Sequence, residues 1–115
     1  MLTSTLHDGS DLVEAVLDGA PDGPAIAVLR RQLTDAAGRH GGARVLVEVR
    51  RYEDPVAAAD RQELRRLAGL PSVRRLVVVS SDAAFRTAAT RLLAALPIAC
   101  DVVGTRDEAL ARLEP

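Results

Sequence analysis

Residues 73–97, VRRLVVVSSDAAFRTAATRLLAALP, followed at 98–115 by IACDVVGTRDEALARLEP, decide the fold. Leu76 to Val79 are apolar at every position, the mark of a strand covered on both faces. Phe85, Ala88, Ala89, Leu92, Leu93 and Leu96 then recur at helical spacing. Cys100 to Val103 restores a short β-compatible run. Thr105, with Glu108 three positions on, forms a capping box that opens a final helix anchored by Ala109, Leu110 and Leu113. Strand, helix, strand and helix with almost no connecting residues is α/β architecture.

The alternation extends toward the N-terminus. Arg44 to Tyr52 has period two, with Val45, Val47 and Val49 on one side and Leu46, Glu48 and Arg50 on the other. Between it and Leu76, Asp54-Pro55 opens a helix that runs to about Ala68 on Ala57, Leu64 and Leu67, and Gly69 and Pro71 end it. Upstream, Pro24 stands at a helix start, Ile26, Leu29, Leu33 and Ala36 or Ala37 follow at helical spacing, and Gly38 and Gly41-Gly42 predict the stop. Leu2–His7 and Leu12–Leu17 flank the turn residues Asp8-Gly9-Ser10-Asp11 and read as a β-hairpin. The predicted order is β-β-α-β-α-β-α-β-α, one α/β domain over residues 1–115 with a five-stranded mixed sheet. Helical crossovers require parallel neighbours, and the first strand is expected antiparallel at or near an edge.

Composition narrows the chemistry. The chain is 48% apolar, yet it holds one Phe, one Tyr and no Trp, so the core is aliphatic and stacking on bases or sugars is nearly unavailable. All fifteen basic residues are Arg, a bias that suits a GC-rich bacterial genome, and no lysine exists for a Schiff base, a Walker-type phosphate site or a receiver domain. A net charge of −1 creates no field that gathers nucleic acid, and no apolar run is long enough for a membrane span. The lone Cys100 fits a reducing compartment, and with no signal-peptide pattern at the start the expected location is cytoplasmic.

Candidate sites follow from the layout. The C-terminal ends of parallel strands gather ligands, and those ends bring together Arg51 and Tyr52, Ser80 and Ser81, and Thr105 and Arg106. Two helix N-termini, hydroxyls and guanidinium groups there form a candidate anion or ligand site, against which stands the ordinary reading that Ser81 and Thr105 cap their own helices. The Arg pairs form no single patch, since Arg50-Arg51 leaves one strand while Arg74-Arg75 enters a parallel one. His7 and His40 have no second ligand at metal spacing, Cys100 lies in an apolar context, and Glu48 and Asp101 are the polar side of two strands. No metal or other cofactor is expected. Crossovers of one hand place the helices on one sheet face. The other face, with Leu46, Glu48 and Arg50 among its residues, is then a candidate interface for a partner or a second copy.

The closing pattern VRRLVVVSS…FRTAATRLLAALP…CDVVGTRDEALARL, within this order of elements, resembles the SpoIIAA-like branch of the STAS superfamily. The resemblance implies a small cytoplasmic, non-enzymatic module that binds a protein or, in some relatives, an apolar ligand. The switch serine of its anti-sigma-factor antagonists falls where this chain reads Tyr52-Glu53-Asp54-Pro55-Val56, which offers no hydroxyl but Tyr52. An unswitched regulatory or interaction role is therefore expected. The alternatives are a carrier of an apolar ligand lined by Ile26, Leu29, Phe85, Ala89 and Leu92, and an anion-binding or enzymatic site at the strand ends.

Overall fold

A computed structural model describes residues 2–7, 9–19, 23–51, 73–96 and 98–114. Its elements are β1 (Leu2–Leu6), β2 (Leu12–Asp18), α1 (Gly23–His40), β3 (Ala43–Arg51), β4 (Val73–Val79), α2 (Ala83–Leu93), β5 (Ala99–Val103) and α3 (Arg106–Leu113). The helix expected from Pro55 to Ala68 lies outside the described residues. The five strands form one mixed sheet in the order β1-β2-β3-β4-β5. β1 is the edge strand and pairs antiparallel with β2, from Leu2↔Leu17 to Leu6↔Val13, while β2 to β5 are mutually parallel. Class, hairpin and strand directions thus match the sequence expectation.

Period-two patterning becomes two cores. Val13, Ala15, Val45, Val47, Val49, Leu76 and Val78 face α1 and α2, which contribute Leu29, Leu33, Ala36, Phe85, Ala89 and Leu93. Leu46, Val77, Val79 and Val103 face the other way and pack with Ala109 and Leu113 of α3. The β2-to-β3 and β4-to-β5 crossovers step across the sheet in the same direction, so their common right hand puts α1 and α2 on one face. α3 follows the last strand without having to return to the sheet edge, and it folds back over the opposite face. The expectation that this second face stays open therefore holds only for the part that α3 does not reach, and Leu46, only 1% exposed, lies beneath that helix.

Element boundaries differ from the sequence expectation for local reasons. α1 runs through Gly38, since an interior glycine costs a helix only about 1 kcal/mol, and stops at Gly41, whose φ of 75° is the left-handed turn that glycine allows. Gly42 is required by a close approach, because a Cβ there would collide with the stem of Arg74. β4 begins at Val73, which pairs with Ala43; Arg75 pairs with Arg44, and Arg74 stands at the register shift between them. α2 is capped by Asp82, whose carboxylate accepts the Phe85 N–H at 3.1 Å. Asp82→Ala should cost about 1 kcal/mol, read as a lower urea midpoint at unchanged slope.

Candidate functional site

The strand ends are the first candidate; β4 and β5 end side by side, and the polar groups there are engaged locally. Ser80 is buried; its N–H donates to the Val103 carbonyl at 3.1 Å and its Oγ accepts the Asp82 N–H at 3.2 Å, closing a tight turn. Ser81 is exposed and caps nothing, because Asp82 holds the cap position. Thr105 caps α3 as the capping box requires: its Oγ1 accepts the Glu108 N–H at 3.2 Å and its hydroxyl lies 3.3 Å from the Glu108 carboxylate. Arg51 ends β3, and its side chain, like all of Tyr52, falls outside the described residues. Both hydroxyls, of Ser80 and Thr105, thus serve their own turns.

Arg106 is committed elsewhere. Its Nε and Nη2 reach Glu14 Oε1 on β2 at 2.9 and 2.6 Å, and His7 Nε2 sits 2.7 Å from Oε2 of the same carboxylate. Burial works to raise the pKa of Glu14, but hydrogen bonds from His7 and Arg106 and their charge outweigh it and hold the carboxyl below its ordinary value. A carboxylate kept ionised between two donors is a poor proton acceptor. The cluster fastens the N-terminus of α3 to β2. Sequence reasoning misses it because 92 residues separate the partners, though the second-face periodicity of Glu14 is visible. Arg86, also missed, donates to the Ser80 carbonyl at 2.9 Å.

The remaining charged candidates are paired. Glu48 Oε2 is 3.4 Å from Arg50 Nη2, while Asp101 lies 3.6 Å from both Arg75 and Arg112, so these carboxylates form no acid/base dyad. Among the described residues no three His, Cys, Asp or Glu side chains come together as a metal site, and no helix is long and apolar enough to cross a membrane. Burial, and then the charge of Asp101, push the Cys100 thiol up, away from nucleophilic use. Of the residues named for an apolar ligand cavity, Leu29, Phe85 and Ala89 belong to the packed first-face core. A groove of about 330 Å³ lies instead beside β5, lined by Thr90, Leu93, Leu96, Ile98, Cys100 and Val102 among others.

What α3 leaves uncovered on the second face is a strip over β1, β2 and the end of β3. Register assigns Thr3 and Thr5 to that face, level with Val16 and Glu14. Glu48 lies beside Val16, and Arg50 follows two positions along. Thr3, Thr5 and Arg50 are exposed, while Val16 and Glu48 are half-buried. Two of the three interface candidates, Glu48 and Arg50, therefore reach the surface on this face, and Leu46 does not.

Comparison with protein-family models, with curated proteins and with solved structures finds no match. The fold and these placements therefore define the molecule as an α/β domain with a five-stranded mixed sheet.

Proposed function

We propose that the protein is a STAS-like, SpoIIAA-type interaction module that acts without catalysis, by contact with a protein partner in a bacterial cytoplasm. The observation that carries the reading is the strip of the second face that no described helix covers. It combines aliphatic Val16, the two threonines of β1 and a pair of opposite charges, half-buried Glu48 and exposed Arg50. Such a mixture of apolar area with charge at its margin is common in transient protein interfaces. The order of elements and the hairpin-first sheet support the STAS-like part of the reading. The absence of a serine in Tyr52-Glu53-Asp54-Pro55-Val56 makes the module an unswitched one.

Reversing both charges, Glu48→Arg with Arg50→Glu, tests it. The exchange preserves net charge and touches no core residue, so the fold should survive. A partner captured by the wild-type protein from cells of the source should be lost from the variant. Equal capture by both, or turnover of a small substrate by the purified protein, would overturn the reading.

A further inference from the structure

We propose that the outer edge of β5 is a self-association site, where two copies pair their β5 strands antiparallel about a two-fold axis into one continuous ten-stranded sheet. The inference concerns a different surface from the strip on the second face and does not depend on it.

Backbone direction carries the argument. The Val103 carbonyl accepts the Ser80 N–H, so Val103 turns its backbone groups toward β4. Alternation along a strand then turns Asp101 and Ala99 the same way and directs the N–H and C=O groups of Cys100 and Val102 outward. β5 is the last strand of the sheet, and among the described residues no strand or side chain meets that outer side. The opposite edge is treated differently. In β1 the His7 N–H donates to the Leu12 carbonyl, so Ser4 faces outward, and its carbonyl accepts from Gln32 of α1 at 3.2 Å. A side chain of α1 thus engages the central outward carbonyl of β1, whereas no described group engages an outward group of β5, so β5 is the more open edge, and two-fold pairing through it closes as a dimer.

Register follows from the same alternation. Centring the axis on Asp101 sets Cys100 of each copy opposite Val102 of the other and engages every outward N–H and C=O of both strands. A shift by one pair in either direction loses half of these bonds within β5. In the centred register the first-face side chains of Cys100 and Val102 meet beside the groove formed with Leu93, Leu96 and Ile98. On the second face two Asp101 carboxylates come together, which alone would oppose pairing. Each, however, brings Arg75 and Arg112 at 3.6 Å. The carboxylates therefore meet among four guanidinium groups, a charge complement that removes the repulsion. Five residues a side is a small contact, so the dimer should dissociate on dilution through the micromolar range.

Val102→Pro is the discriminating variant. It removes an outward N–H without touching the bonds to β4, and an edge strand with that N–H facing solvent is a setting in which proline is accepted. Sedimentation equilibrium should show a concentration-dependent wild-type dimer and a folded, monomeric variant. In the wild-type dimer the two Cys100 side chains are diagonal neighbours, about 7–8 Å apart, so a short bis-maleimide should join them. If Val102→Pro fails to fold, Val102→Lys keeps the backbone and places a charge on the same edge, and it too should be monomeric. A wild-type protein still monomeric at about 1 mM, a dimer that survives the edge variants, or a dimer whose Cys100 takes up a mono-maleimide yet is not joined by the bis-maleimide would overturn the proposal.

Discussion

Leu46→Glu is expected to unfold the protein. The side chain is 1% exposed and packs with Val77, Val79, Val103, Ala109 and Leu113 in the core between the sheet and α3. Removing it forfeits about 2–3 kcal/mol of apolar burial, and a carboxylate in that layer adds a desolvation cost of several kcal/mol unless it protonates or drives α3 off the sheet. The total approaches the whole stability of a domain of this size, about 5–15 kcal/mol. Far-UV circular dichroism and urea titration should show either no cooperative transition or a midpoint displaced far below the wild type. Val16→Glu is the control, since it places the same charge on the same sheet face where no described helix covers it. Its cost should stay within about 1 kcal/mol. If the two variants were equally stable, α3 would not be the cover that the structure makes it.

The contrast between Leu46 and Val16 shows where sequence reasoning stops. Period two places Leu46, Glu48 and Arg50 on one side correctly, because side-chain alternation is a property of the strand itself. Crossover handedness places α1 and α2 on the other side, because a right-handed connection between parallel neighbours leaves no choice. Neither rule binds a helix that follows the last strand. α3 is free to take either face, and its position rests on Leu113 and Ala109 finding Leu46, Val77 and Val103. The capping box at Thr105 is legible because both partners lie within four residues. Arg106 reads from sequence as part of a strand-end anion site because its true partner, Glu14, is remote along the chain. Gly38 reads as a stop because glycine is a weak helix former, yet the stop needs a left-handed φ, which falls at Gly41.

The largest electrostatic effect is expected at Asp11, which the sequence marks only as a turn residue. In a parallel sheet the entry ends of the strands lie together, so Asp11 before β2, Arg44 at the start of β3 and Arg74 at the start of β4 converge. Arg44 Nε and Nη2 reach Asp11 Oδ1 at 2.8 and 2.7 Å, Arg74 Nη2 binds Oδ2, and the Arg44 guanidinium also donates to the Leu113 carbonyl at the end of α3. One carboxylate thus joins the hairpin, two strands and, through Arg44, the last helix. Burial works to raise its pKa. The hydrogen bond and charge of Arg44, and then the hydrogen bond of Arg74, outweigh that and hold it below the ordinary 3.8. Asp11→Asn keeps the shape but leaves a largely buried Arg44 without its counter-ion. The expected loss is about 2–4 kcal/mol, scaled down from a fully buried pair because Arg74 is half exposed. The sign with pH follows from the lowered pKa. The stabilisation by ionised Asp11 is fully present above 3.8 and is lost as pH falls through the still lower value of the folded state. Glu14, lowered from 4.5, adds acid sensitivity of the same sign to both proteins. Urea titrations from pH 7 down to pH 3 should therefore show a constant gap between wild type and Asp11→Asn above pH 4.5 that closes below 3.8. A gap that stayed constant throughout would mean that Asp11 stabilises by turn geometry, and that its charge does not hold the strand entries together.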